Sequence, residues 1–177
     1  MVISFFMQDI SLLIVRPEVR FEAPYIEVSL QRRGYDIVQK ERRTDWWCIA
    51  QCFYGNQLDD TQLQLYLSGH YALFHGFGFN FLAWIVEHKE GGTLERLAKD
   101  KGHLYDYQDR GRKDVDTTSL RAEFGFGRKL NVPYPLPSSN GYTFAPYCGF
   151  HAPSTKEELE NNLEILGLTR FASRNAL

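Results

Sequence analysis

A recurring order of short apolar signals, more than any single motif, constrains what this chain can fold into. Residues 10–15 (Ile-Ser-Leu-Leu-Ile-Val) form a partly β-branched apolar run ending before Arg16-Pro17, the pattern of a buried strand. Pro24 suits the first turn of a helix running to Arg33, with Ile26 and Leu30 one turn apart and Gly34 as its stop. Residues 35–40 alternate. Residues 46–54, rich in aromatic and β-branched side chains, read as the second strand of a hairpin. Asp59 or Asp60 caps a helix toward Phe74 with Leu63 and Leu67 on one face, Gly76 ends it, and residues 77–86 give a further strand. Gly91-Gly92 breaks the chain before a short helix over 93–101.

Strand, helix, strand, strand, helix, strand is the split βαβ, ferredoxin-like order. The expected class is therefore α+β, an antiparallel sheet with helices on one face and the other face left for a partner or for the rest of the chain. Residues 1–102 are expected to form this sheet domain. Residues 103–153, rich in Gly, Pro, Tyr, Asp and Arg, read as an irregular extension packed on it, because Pro133, Pro135 and Pro137 oppose helix and central strand. Short strands are expected there over 123–130 and 142–147. Residues 154–177 read as a C-terminal helix and tail: Ser154-Thr-Lys-Glu157 has the capping-box pattern, Leu159, Leu163 and Leu166 share a face, and Gly167 stops the helix.

Charge excludes some function classes. With 20 Lys+Arg against 22 Asp+Glu the net charge is -2, which gives no global attraction to nucleic acid or anionic membrane. Three Cys cannot close a disulfide framework without a spare thiol, and Met1-Val-Ile-Ser-Phe-Phe-Met lacks the basic start of a secretory signal. No run approaches the roughly 18 apolar residues of a spanning helix. A cytoplasmic chain with no membrane partner is expected.

Two cysteine arrangements invite chemistry. Cys48-x3-Cys52 and Cys148-x2-His151 supply four donors of the kind tetrahedral zinc takes. On a strand, however, residues four apart lie about 13 Å apart along one face, so Cys48 and Cys52 read as core hydrophobes, and no metal or other cofactor is expected. Cys148 beside His151 has the composition of a thiolate–imidazole pair. No third, orienting group stands at a recognisable spacing, so residues 146–153 read as a turn packing its rings on the sheet. No catalytic set is assigned.

The aromatic segments and basic clusters point to surfaces. His75-Gly-Phe-Gly-Phe-Asn-Phe-Leu resembles the aromatic strand of the RNA-recognition fold, and Phe53-Tyr-Gly-Asn-Gln-Leu58 resembles that fold's other motif, which implies bases stacked on Phe77 and Phe79. Arg110, Arg112, Lys113, Arg121 and Arg128, with Tyr105 and Tyr107, are candidates for a phosphate-binding or acidic-partner surface. The interleaved Asp106, Asp109, Asp114 and Asp116 favour a salt-paired loop. Gly34-Tyr-Asp-Ile-Val, Asp60-x-Gln-Leu63 and Phe77-Gly-Phe-Asn-Phe-Leu-Ala-Trp84 together are similar to the ferredoxin-like inhibitor of ribonuclease E, a resemblance covering at most residues 25–90. It implies a protein that acts by binding a macromolecule.

The expected function is accordingly a small non-enzymatic binding or inhibitor protein. It would hold a protein partner through Phe77, Phe79, Tyr105, Tyr107, Arg110, Arg112, Lys113 and Arg128. The alternatives are a single-stranded nucleic-acid module using the same aromatic and basic residues, and a Cys/His hydrolase or transferase using Cys148 and His151.

Overall fold

The computed structural model describes residues 9–55, 78–102, 118–124, 133–135, 142–144 and 149–173. Strand β1 is Ile10–Val15, and all six of its residues are buried. A single 3-10 turn, Arg20–Glu22, leads into helix α1, Ala23–Arg32, with Pro24 in its first turn. Gly34, at φ 91°, turns the chain into β2, Tyr35–Arg43, whose burial alternates as a strand with one covered face requires.

Residues 46–54 form a helix, α2 (Trp46–Tyr54), and not the expected hairpin strand. The period decides it. Trp46, Ile49, Ala50 and Phe53 are buried at the i, i+3, i+4, i+7 spacing, while Cys48, Gln51 and Cys52 face solvent. The aromatic and β-branched content that suggests a strand is what lets this helix bury one wide face. Strand β3 follows at Phe81–His88, then α3, Thr93–Lys101, and α4, Leu120–Phe124. That last helix occupies the start of an expected strand. Residues 133–135 (β4) and 142–144 (β5) pair as a small antiparallel ribbon. The expected helix toward Phe74 and the rest of the 103–153 extension lie outside the described residues.

The fourth strand of the main sheet is β6, Phe150–His151, two residues where the sequence suggests only a turn. It pairs antiparallel with β1, Ile14 opposite His151 and Val15 opposite Phe150. The sheet order is β2-β3-β1-β6, all antiparallel, the ferredoxin-like arrangement of an α+β fold. The sequence order of signals therefore gives the class, but the third and fourth strands are supplied by later segments than expected.

Both sheet faces are covered. Leu13, Val15, Trp84 and Val86 point to the side of α1, α3 and α4, with Ile26, Leu30, Leu97 and Leu120. Leu12, Ile14, Phe81, Ala83 and Ile85 point to the other side, against α2 and the C-terminal helix α5, Lys156–Ile165. Of the two occupants expected for the second face, a partner or the rest of the chain, it is the chain's own segments that cover it. Each fully buried Leu, Ile or Val contributes roughly 1.5–3 kcal/mol, and β1 presents such residues to both layers. Helix α5 begins with Thr155, whose hydroxyl accepts from Glu158 N, while the Glu158 carboxylate accepts from Ser154 N and Oγ. This is a variant of the capping box, one residue later than the sequence pattern places it, with the returning bond made to Ser154 N ahead of the N-cap Thr155. Leu159 and Leu163 are buried, Gly167 at φ 69° ends the segment as expected, and a short helix α6, Thr169–Ser173, follows.

Candidate functional site

Because His151 sits directly opposite Ile14 across an antiparallel pair, both side chains leave the sheet on the α2 and α5 side. Its imidazole is 6% exposed and touches the Phe53 ring at 5.0 Å between centroids and the Tyr54 ring edge-on at 5.7 Å. Each ring nitrogen has a partner: Tyr54 Oη lies 3.2 Å from Nδ1, and Asn162 Nδ2 lies 2.8 Å from Nε2. With the amide nitrogen facing it, Nε2 accepts from Asn162 and Nδ1–H donates to Tyr54; a turn of the amide reverses both bonds. In either tautomer the ring orientation is fixed from both ends.

The surrounding charge is positive. Burial is the largest cause holding the His151 pKa well below its ordinary value, and the charges of Lys101, Arg16 and Arg121 push it further the same way. Glu158 Oε1, 3.8 Å from Nε2, does not reverse this, and its other oxygen is committed to the α5 cap. The ring is neutral at physiological pH, and so one nitrogen keeps a lone pair.

The cations also build the strand that presents His151. Lys101, the last residue of α3, donates to Ala152 O at 2.9 Å; Arg121, in α4, donates to Phe150 O at 2.9 Å and Gly102 O at 2.7 Å. The two carbonyls flanking His151 are therefore held by the groups that depress its protonation. Arg16, immediately after β1, is 1% exposed, with its guanidinium 5.2 Å from the Trp46 ring centroid and 3.3 Å from Glu18 Oε1. Glu18 in turn accepts from Gly149 N, and Arg16 N donates to Gly149 O. Four segments thus converge on a two-residue strand.

Of the sequence candidates, the structure gathers few. Cys48 and Cys52 are exposed on α2, not core thiols, and neither lies among the His151 contacts named above. Cys148, Phe77, Tyr105, Tyr107, Arg110, Arg112, Lys113 and Arg128 lie outside the described residues. Phe79 precedes β3, partly buried against the α2 side of the core, with its carbonyl accepting from Trp46 N; Phe81 is fully buried. Among the described residues no group of three or more His, Cys, Asp or Glu is placed to hold a metal ion. None of the described helices is long and apolar enough to cross a membrane. Among the described residues the candidates that acquire a built environment are His151 and Arg121, which donates to Gly102 O and Phe150 O; Tyr54, Arg16 and Lys101 carry no signal of it in the sequence. One signal was present: Asn162 falls on the apolar stripe of Leu159, Leu163 and Leu166, where a polar residue needs a buried partner.

No protein-family model matches this sequence, and no curated protein matches it. Solved structures do match the fold. The nucleoside diphosphate kinase of Aquifex aeolicus is 17% identical with a TM-score of 0.61, covering 89% of this chain and 94% of its own. That of Halobacterium salinarum, in complex with CDP, is 14% identical with a TM-score of 0.58, over 89% of this chain and 86% of its own. That of Borrelia burgdorferi, a transition-state mimic with bound vanadate and ADP, is 16% identical with a TM-score of 0.56, over 88% of this chain and 84% of its own. These likenesses overturn the expectation of a non-enzymatic binding or inhibitor protein: the α+β ferredoxin-like fold found here is the fold of the nucleoside diphosphate kinases.

Proposed function

We propose that this chain is a phosphoryl-transfer enzyme acting on nucleotides, with His151 as the group that accepts the phosphoryl and passes it on. The observation that carries this reading is a buried, neutral imidazole, fixed at both nitrogens and ringed by Lys101, Arg16 and Arg121. A neutral imidazole is a nucleophile, and histidine is among the side chains that form covalent intermediates. The cations that keep it unprotonated also favour a triphosphate and the charge of its transition state.

In the first half-reaction the accepting ring nitrogen, Nε2 from Asn162 or Nδ1 from Tyr54, gives up that hydrogen bond and its lone pair attacks the terminal phosphorus. The bond from that phosphorus to its bridging oxygen breaks, and the electron pair leaves with the nucleoside diphosphate. In the second, a terminal phosphate oxygen of another nucleoside diphosphate attacks the phosphorus and the P–N electron pair returns to the ring. The partner of the other ring nitrogen keeps its bond and holds the ring in line, which is where positioning lowers the barrier. Names of the fold neighbours, together with CDP and the vanadate–ADP pair bound in two of them, support nucleotides as the substrate class. This chemistry fits a nucleotide-rich, reducing cytoplasm, consistent with the exposed free thiols of Cys48 and Cys52.

The test is to incubate the protein with ATP labelled at the γ-phosphate, then chase with an unlabelled nucleoside diphosphate. The expected result is an acid-labile, alkali-stable protein label that the chase removes and that His151→Gln abolishes. Tyr54→Phe is expected to keep the labelling site and slow its formation by about 10–100-fold. An unlabelled wild-type protein, or full labelling of His151→Gln, refutes the proposal.

A further inference from the structure

We propose that Cys48 and Cys52 form a two-thiolate site for a soft metal ion, Cu(I) foremost, on the solvent face of α2. The inference is independent of the chemistry assigned to His151.

Both cysteines are exposed, and they stand four residues apart on a helix whose buried face is Trp46, Ile49, Ala50 and Phe53. Free cysteine is among the most buried residue types, so an exposed pair is read by its reactivity and not by its packing. Neither thiol here takes part in the core that α2 closes. At i and i+4 the two Cβ atoms lie about 5–6 Å apart, whereas a disulfide needs about 3.5–4.5 Å. Closing a disulfide would therefore require α2 to open. A metal bridging the sulfurs needs no such change, since two metal–sulfur bonds of about 2.3 Å span up to about 4.6 Å between sulfur atoms, within reach of two side chains leaning toward each other.

Ligand number and softness then select the ion. Two thiolates are soft ligands, which disfavours the oxygen-seeking cations. Soft sulfur ligands suit Cu(I) and zinc alike, but structural zinc takes four ligands, so a two-thiolate pair is matched best by Cu(I). Binding releases the proton of each thiol to solvent, with no change of redox state in protein or metal, so the site tightens as pH rises. Helix α2 stays helical in the loaded state, and Phe53 and Tyr54 keep their places against His151.

The experiment is an anaerobic titration of the full chain with Cu(I) against a competing chromophoric chelator, followed by the thiolate-to-copper absorption and by far-ultraviolet circular dichroism. One Cu(I) per chain is expected, with an unchanged helical signal and protection of Cys48 and Cys52 from iodoacetamide. Because two tethered ligands gain about 10²–10⁴-fold over one, Cys48→Ser and Cys52→Ser should each weaken binding by at least about 100-fold, while Cys148→Ser leaves it unchanged. Both serines sit on an exposed face, so the variants retain the wild-type melting curve. Three outcomes overturn the proposal: copper binding insensitive to either serine variant, equal loss on Cys148→Ser, or Zn(II) bound as tightly as Cu(I). Loss of helical signal on loading also overturns it, because the geometry requires an intact α2.

Discussion

The His151 environment predicts how stability depends on pH, and the sign follows from the direction of its shift. In the unfolded chain this histidine takes up a proton below about pH 6.5. In the folded chain burial, and then the charges of Lys101, Arg16 and Arg121, keep the ring neutral to well below that value. Over that window the unfolded state binds more protons than the native state, so stability falls as pH falls. While the folded ring stays neutral the slope approaches about 1.4 kcal/mol per pH unit, worth about 2–4 °C in Tm per kcal/mol for a chain of this size. Asp45 adds its own loss only at lower pH: its hydrogen bond from Arg43 holds its pKa below the ordinary 3.8, so its contribution is present above that value and disappears beneath it. Urea melts between about pH 7.5 and 5 therefore isolate the histidine when wild type is compared with His151→Gln. The wild-type protein should lose stability relative to the variant as pH drops below 6.5, at constant m-value. Parallel curves would refute the neutral, cation-ringed imidazole. A wild-type protein that gains stability on acidification would mean that the ring takes its proton on folding, with Glu158 at 3.8 Å as its partner.

Three further perturbations test the supports of the site and the sheet. Glu18→Gln removes the buried charge facing Arg16 while keeping an oxygen for Gly149 N; a loss of about 3–5 kcal/mol in denaturant melts is expected, and less than about 1 kcal/mol would show that the pair is not desolvated. Gly34→Ala places a Cβ at positive φ and 2.9 Å from His88 Nε2, the nitrogen that donates to Arg33 O, so a thermal melt should show about 1–3 kcal/mol lost. Tyr35 is held protonated above the usual phenol range, first by burial and then by its hydrogen bond to Asp100, so its contribution is present below about pH 10 and lost as pH rises further. Tyr35→Phe should cost about 1 kcal/mol at neutral pH and flatten the alkaline limb of the stability profile.

The ferredoxin-like class was legible because it rests on local signals that tertiary contacts do not overrule. Ile10–Val15, the Pro24 start and Gly34 stop of α1, the alternation of β2 and the 93–101 helix are all where residue patterning puts them. Residues 46–54 were misread because composition was weighed above period: Trp, Ile, Cys and Phe favour strands as types, yet their buried members recur every three to four residues. Strand β6 could not be read at all. A two-residue strand has no period, and Phe150–His151 becomes one only because β1 offers an unpaired edge and Arg121 and Lys101 bind the carbonyls on either side.

The site was illegible for a related reason. Its parts come from the end of β1, from α2, from the last turn of α3, from α4 and from α5, and no spacing in sequence joins them. Arg121 stood in a basic cluster that sequence reading assigned to a solvated loop; in the fold it is 8% exposed and serves two buried carbonyls. Lys101 donates to Ala152 O, and Arg121 donates to Gly102 O and Phe150 O. Their charges, with that of Arg16, add to burial in holding the His151 pKa down. The same arrangement depresses the base and attracts an anion, so discharging one of these cations should alter both properties together. Lys101→Met is expected to lift the His151 pKa and to weaken nucleotide retention in the same variant. A change in only one of the two would separate the electrostatic argument from the assignment of phosphoryl transfer.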